Sequence, residues 1–366
     1  EGGGIQFALG LDVGPEDNPK LMDDYSDPES STGTEEIPAN RFRKKWSRTA
    51  ELLFEYEGHF RQYADLDDLN HNEQFVNVEM NFVLNNDMHN LKIADRFAKL
   101  ADPLDIQLTN EIGERISNEF NPTLTSKLGR TWNSEVGLEY DTLKYSDTDF
   151  SPLDYNQLGV SLQLGRQIQK EVFAYGRYEL QMLTYSDANP VANDFTAHYV
   201  YAGLSSNYLK HVNYDLRIGF SSIQSTDDIP LAVGDEDSGS NVATRLKLQW
   251  ILSDPKKSVL EFMVDRNFVS STISNYSLQT SVTASWVHIF DKQKTKRLNV
   301  GLRYTQLERS LEETNMAVLG AHAGFMWMFT EYGSAFASID IAQRTADVET
   351  DEYARNRFGI GAVFTY

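Results

Sequence analysis

Apolar residues recur at every second position along most of this chain, a period that extended strands satisfy and helices do not. Leu298, Val300, Leu302 and Tyr304 share one face, and Arg297, Asn299, Gly301 and Arg303 take the other. Val76, Val78, Met80, Phe82 and Leu84 alternate in the same way with Asn77, Glu79, Asn81 and Val83. Leu158, Val160, Leu162 and Leu164 alternate with Gly159, Ser161, Gln163 and Gly165. Runs of this length are strand signals, and no stretch carries a convincing 3.6-residue apolar period. The chain reads as all-β.

Short and long connections alternate between these runs. The short ones fall near 43–46, 86–89, 128–131, 167–170, 209–212, 253–256, 291–294 and 330–333. The others, mostly longer, fall near 14–33, 65–72, 100–115, 147–155, 186–194, 226–240, 270–274, 311–314 and 347–352. The segments between them predict about eighteen strands, the first two over about 4–13 and 34–43. The region 90–118 is the least regular, and losing a pair there gives sixteen. A chain of 366 residues suffices for one such sheet, expected as a single barrel domain over 1–366.

A soluble sandwich buries one face of each strand against a second sheet. Three features favour a transmembrane antiparallel up-and-down barrel instead. Phe358, Ile360, Ala362, Phe364 and Tyr366 share one face of the final strand, with Arg355 and Arg357 on the other. A last strand of this kind is similar to the signal read by the barrel assembly machinery, which Phe358, Ile360, Phe364 and Tyr366 would carry. Trp46, Trp132, Trp250, Trp286 and Trp327 all fall close to a short turn, as an interfacial aromatic girdle on the periplasmic side requires. The charges also separate. Residues 14–36 hold eight acids and one lysine, and 226–240 hold five acids and no base. The short turns collect Arg43, Lys44, Lys45, Arg130, Lys170, Lys210, Lys256, Lys292 and Lys294. Short turns of such barrels face the periplasm and long loops face outside, which puts both termini in the periplasm.

Composition excludes several other classes. No apolar run approaches the twenty residues of a helical span. The absence of cysteine removes disulfides, cysteine-based zinc sites and thiol nucleophiles. A net charge of -21 argues against a nucleic-acid partner. Aromatics at 12% argue against disorder. The opening Glu1-Gly2-Gly3-Gly4 lacks a charged-then-apolar leader, so a signal peptide is expected to have been removed.

Alternation also assigns the lumen. Glu51, Glu55, Glu57, Glu79, Glu135, Glu139 and Asp141 are expected to form an acidic wall. Arg217, Arg245, Lys247, Arg297, Arg303, Arg344, Arg355 and Arg357 form a basic one, interrupted by Asp215, Glu261, Asp265 and Asp340. Opposed across a barrel, the two walls would set a transverse field over a water-filled pore. Pairs such as Arg177 with Glu179, or Arg217 with Asp215, also fit simple bracing of the wall.

No catalytic motif is present: the chain has no GxSxG, no HExxH and no glycine-rich phosphate loop. Barrel hydrolases need Ser and His together on the outer face, and His198 and His288, with Ser205 and Ser285 on nearby strands, are the residues available, though chance alone supplies such pairs. Neither Asp235-Glu236-Asp237-Ser238-Gly239 nor Asp65, Asp67 and Asp68 fits a calcium loop. No enzyme activity, metal or cofactor is expected.

The order of features resembles a family. Asp17-Asn18-Pro19 closes an early strand, and the next carries Phe54, Tyr56 and Tyr63. Asp95-Arg96-Phe97 leads to Asp102-Pro103-Leu104, and Gly129-Arg130-Thr131 precedes a strand with Tyr140 and Tyr145. The pattern is similar to the outer-membrane β-barrel porins of exopolysaccharide operons, the EpsL-like barrels. That resemblance implies a Gram-negative outer-membrane channel passing exopolysaccharide, with a periplasmic export partner, and it transfers no catalytic residues. Tyr175, Tyr199 and Tyr201 would then guide a glycan by stacking. A general diffusion porin for small hydrophilic solutes is the alternative, and a non-conducting barrel acting as anchor or assembly partner is a further one. Outer-membrane lipids and lipopolysaccharide surround the barrel in every case.

Overall fold

The computed structural model describes residues 4–17, 30–64, 70–101, 114–146, 151, 153–186, 194–209, 211–225, 237–252, 257–269, 276–291, 293, 295–309, 315–330, 332–347 and 353–365. Among them run eighteen strands. They are β1 (Gly4–Asp17), β2 (Ser30–Ser47), β3 (Ala50–Tyr63), β4 (His71–Leu84), β5 (His89–Leu100), β6 (Arg115–Lys127), β7 (Trp132–Tyr145), β8 (Tyr155–Gln169) and β9 (Val172–Tyr185). The second half comprises β10 (Phe195–Leu209), β11 (Val212–Ser225), β12 (Ser238–Ile251), β13 (Ser258–Val269), β14 (Ser277–Ile289), β15 (Lys296–Arg309), β16 (Met316–Met328), β17 (Gly333–Ala346) and β18 (Tyr353–Thr365).

Every strand pairs antiparallel with its chain neighbours, and β18 also pairs with β1, placing Phe364 opposite Leu9 and Ala362 opposite Leu11. The sheet therefore closes on itself and leaves no edge, which a β structure in lipid requires. The sixteen-strand alternative is excluded, because the irregular region 90–118 supplies nearly all of β5 and the start of β6. β1 and β2 run further than their patterns predict. The short turn expected at 43–46 is strand, and the reversal falls at 48–49. Charged residues read as turn signals in a soluble sheet, yet a wet lumen solvates them within a strand. Here Arg43 and Glu51 bond to each other across β2 and β3.

The tight reversals use backbone that few residues tolerate. Asn85, Asn86 and Asp87 all have positive φ (50°, 51° and 66°) between β4 and β5, and Asn and Asp occupy this region more readily than other side chains. Gly129, at φ 96°, turns the chain between β6 and β7.

Register fixes the two faces. Leu11, Phe54, Ile218, Leu302 and Ile360 all lie on the outward set and are between 36% and 58% exposed. Glu55, Arg217 and Arg303, one position along from Phe54, Ile218 and Leu302, fall on the inward set. A closed wall, apolar outside and polar inside, is the pattern of a membrane barrel. The buried apolar cluster sits toward the long-loop ends of β9–β14, where Leu183, Phe195, Ala197, Ile223, Phe268 and Leu278 pack with Tyr276.

Candidate functional site

The concave side gathers the charges. A cavity of about 410 Å³ is lined by residues from β5 through β13, among them Lys92, Arg96, Glu135, Arg177, Tyr201 and Arg245. Side chains from so long an arc of wall can meet only inside the barrel. A second cavity of about 670 Å³ lies against β1–β6, with Arg41, Glu55, Phe75 and Glu119 on its lining, and Arg96 borders both.

All seven acids of the expected acidic wall lie on luminal positions of β3, β4 and β7, and five of them have cationic or histidine partners. Glu51 pairs with Arg43, and Glu55 with Arg41 at 3.1 Å. Glu57 accepts from His59 at 2.7 Å, Glu79 from Lys92 at 2.7 Å, and Glu135 from Arg177 at 2.8 Å. Glu139 and Asp141 form no ion pair among the described residues, and Asp141 accepts instead from Gln157 at 3.2 Å. An uncompensated acidic wall is thus not what lines the first half. The compensating Arg41, Arg43, Lys92 and Arg177 fall on the same face as the acids in each register, a signal that the alternation itself carries.

Arg177 is the centre of a chain of charges. It reaches Glu135 on β7 and also Glu179 two residues along its own strand. Glu179 lies 3.6 Å from Arg217, which holds Asp215 at 2.8 Å. Tyr175 donates its hydroxyl to Asp215 while Arg217 stands over its ring at 5.9 Å. Beyond β11, Arg245 lies opposite Arg217 in register and pairs with Asp265. Alternating signs brace β7, β9, β11, β12 and β13, with three arginines set against four carboxylates.

The basic wall is distributed differently. Arg217, Arg245, Lys247, Arg297, Arg303, Arg344, Arg355 and Arg357 all occupy luminal register positions. Arg357 is tied to Glu35 at 2.8 Å. Arg297, Arg303 and Lys247 form no ion pair with any described carboxylate. Among the described residues, the cations of this wall without an ion pair therefore stand on β12 and β15.

Other expected groups are placed as follows. The five tryptophans point outward at the short-turn rim, with Trp46, Trp132, Trp250 and Trp327 between 42% and 51% exposed, and Trp286 donates to Ser258 at 2.9 Å. Phe358, Ile360 and Phe364 face outward on β18. Tyr366, Lys210, Lys256, Lys292 and Lys294 lie outside the described residues, as do the carboxylates at 65–68 and 235–236. Tyr199 and Tyr201 stack on each other at 6.1 Å and are 3% and 7% exposed, so neither presents a ring to a passing glycan. Tyr175 is likewise engaged by Asp215. The two Ser–His pairs do not form. His198 and His288 point outward, whereas Ser205 and Ser285 occupy luminal positions on the same strands, because an odd spacing puts partners on opposite faces.

No protein-family model matches the chain, and no curated protein does, so the likeness to exopolysaccharide-operon barrels has no support there. Solved structures share the fold. The outer membrane protein OpdK of Pseudomonas aeruginosa superposes with a TM-score of 0.51 at 10% identity, covering 99% of each chain. OccK2 (OpdF) of the same organism, solved in complex with glucuronate, gives 0.49 at 8% identity, covering 99% of this chain and 98% of that one. The chain has the closed eighteen-strand fold of Gram-negative outer-membrane barrels.

Proposed function

We propose that this barrel is a passive outer-membrane channel for small hydrophilic solutes. The observation that carries the reading is the polar lumen: water-sized space lies along ion-paired walls, bordered by Lys92, Arg96, Glu135 and Arg177. Fixed charges facing water-filled space lower the cost of moving a polar solute through an apolar membrane and sort solutes by charge and size. The locked tyrosines remove the feature that favoured a polysaccharide, so small solutes fit better than a polymer.

Single-channel recording on the refolded protein in a planar bilayer tests the proposal. Steady ohmic steps in potassium chloride are expected without any partner protein. A barrel that is folded by its heat-modifiable gel mobility, yet gives no steps, would overturn it and favour the anchor or assembly role. Adding a long acidic polysaccharide separates the readings further, since block by the polymer at low concentration would favour the polymer conduit.

A further inference from the structure

A third luminal cavity, of about 350 Å³, opens on the β14–β18 wall, and its lining differs from the others. In register, Arg303 on β15 faces Gly320 on β16, Gly320 faces Ala342 on β17, and Ala342 faces Arg355 on β18. Two arginines thus flank a floor of glycine and alanine, three strand spacings or about 14 Å apart at the backbone. Among the described residues, that floor is uncrowded at Gly320 and Gly301. For a Cβ placed on Gly320 the nearest atoms are Ile341 O at 3.8 Å and Arg303 Cβ and O at 4.0 Å, ordinary contact distances. The same construction on Gly301, one row closer to the short turns, meets Ala284 O at 3.9 Å and His322 Cβ at 4.0 Å.

Arg303 spends one N–H on Thr305 Oγ1 at 3.3 Å and forms no ion pair with a described carboxylate. A guanidinium carries five donors, so most of its fork faces the cavity unspent. Thr283 lies directly opposite Arg303, which adds a hydroxyl at the same level. Asp340 is the carboxylate on this lining. It is held by His322 Nδ1 at 2.6 Å and sits in the adjacent row, opposite Arg357. The carboxylate therefore bounds the alcove on the short-turn side and leaves the Arg303 row positive.

We propose that this alcove is a binding subsite for an oxyanion, the carboxylate or phosphate group of a solute in transit. The inference rests on the channel reading above and narrows its solute class to anions. Planar guanidinium forks bind such groups through paired, charge-assisted hydrogen bonds. The uncrowded floor gives a ligand room beside Arg303.

Calorimetric titration of the refolded barrel in detergent tests the subsite without requiring conduction, with inorganic phosphate and acetate as the two probes. Saturable binding of at least one is expected, and the preference between them identifies the group recognised. Arg303→Gln should weaken it about tenfold or more, as loss of a charge-assisted bond does. Gly320→Asp, which sets a carboxylate on the floor, should abolish it. Wild-type protein without saturable heat, or variants that bind like wild type, would overturn the proposal. Should Gly320→Asp fail to fold, Arg303→Gln decides alone. Saturable binding by a barrel that never conducts would leave the subsite standing and remove the channel. Steady conductance without such binding would do the reverse.

Discussion

Arg357 donates from Nη2 to Oε2 of Glu35 at 2.8 Å, although 322 positions of chain separate them. The bond crosses β1 on the luminal side and joins β18 to β2, so it fastens the seam where the two ends of the sheet meet. Glu35 is also reached by His59 Nδ1 at 2.8 Å and Arg61 Nη2 at 3.4 Å. Its side chain is only 6% exposed. Three donors thus surround one carboxylate almost removed from water.

Breaking one side of a buried ion pair leaves the other charge uncompensated, at about 3–5 kcal/mol. Glu35→Gln should therefore lower the temperature at which the barrel loses its compact gel mobility. The double variant Glu35→Gln with Arg357→Met should lose less than the two single variants summed. Full additivity in that cycle would show that the seam does not depend on the pair.

Arg177 serves two carboxylates, so its removal has an electrical consequence. With Arg177→Gln, Glu135 loses its cation and Glu179 keeps only Arg217 at 3.6 Å. The zero-current potential under a potassium chloride gradient should move toward the potassium limit. Arg177→Lys should retain the wild-type value. A Gln variant with unchanged potential would mean that this arc does not border the ion path.

The strands, their count and both faces were legible because a two-residue period with one apolar side has a single closed solution. The tryptophan rim followed from the same count, since each indole precedes or follows a reversal. Partnerships were not legible. Glu35 and Arg357 belong to strands that meet only once the barrel has closed, and no local spacing records that. Arg43 and Lys45 read as turn residues because their charge was judged against a soluble sheet, not a wet lumen. The tyrosines at 175, 199 and 201 were placed on the correct wall, but side-chain engagement decides whether a ring is available, and parity does not reveal it.

Asp95 stands on the outward face of β5, between Ile93 and Phe97 along the strand. Val78 and Phe120 are its register neighbours, and Asn118 Nδ2 donates to it at 2.9 Å. A carboxylate among lipid-facing apolar residues costs stability, though less than the roughly 2–4 kcal/mol of a midplane Arg or Lys. Asp95→Leu with Asn118→Leu should stabilise the barrel by on the order of 1 kcal/mol, by the same depth-dependent rule, measured by denaturant unfolding in vesicles. Asp95→Leu alone should gain less, because Asn118 then loses its acceptor. Destabilisation of the double variant would indicate that another chain covers this face.

Asp291, in the reversal between β14 and β15, supplies a pH-dependent bond. The hydroxyl of Thr295 donates to its carboxylate, with the Thr295 backbone N–H at 2.7 Å and that of Lys296 at 3.4 Å adding to it. These bonds favour the ionised form and hold the carboxyl below its ordinary 3.8. The contribution is present in full above the ordinary value and is lost as pH falls through the lowered one. A carboxyl-detected NMR titration should place the midpoint below 3.8, and Thr295→Val should raise it. A midpoint that ignores Thr295→Val would show that the hydroxyl bond is not made in solution.

Two glycines on the strands that flank β10 should respond oppositely to the same change. At Gly219 on β11 a Cβ would fall 1.9 Å from Val200 O and 2.8 Å from Tyr201 Cα, both backbone atoms. Side chains can swing aside, but backbone atoms held in two ladders cannot. Gly219→Ala must therefore displace β10 from β11, beside the stacked Tyr199 and Tyr201. The cost should reach the upper end of overpacking, about 3 kcal/mol. At Gly176 on β9 the same atom meets only Tyr201 O at 4.0 Å, an ordinary contact. Gly176→Ala should be neutral or stabilise slightly, since alanine restricts the unfolded chain. Folding yield and unfolding midpoint, measured side by side, check the contrast. Equal tolerance at both positions would mean that β10 and β11 lie further apart than this register requires.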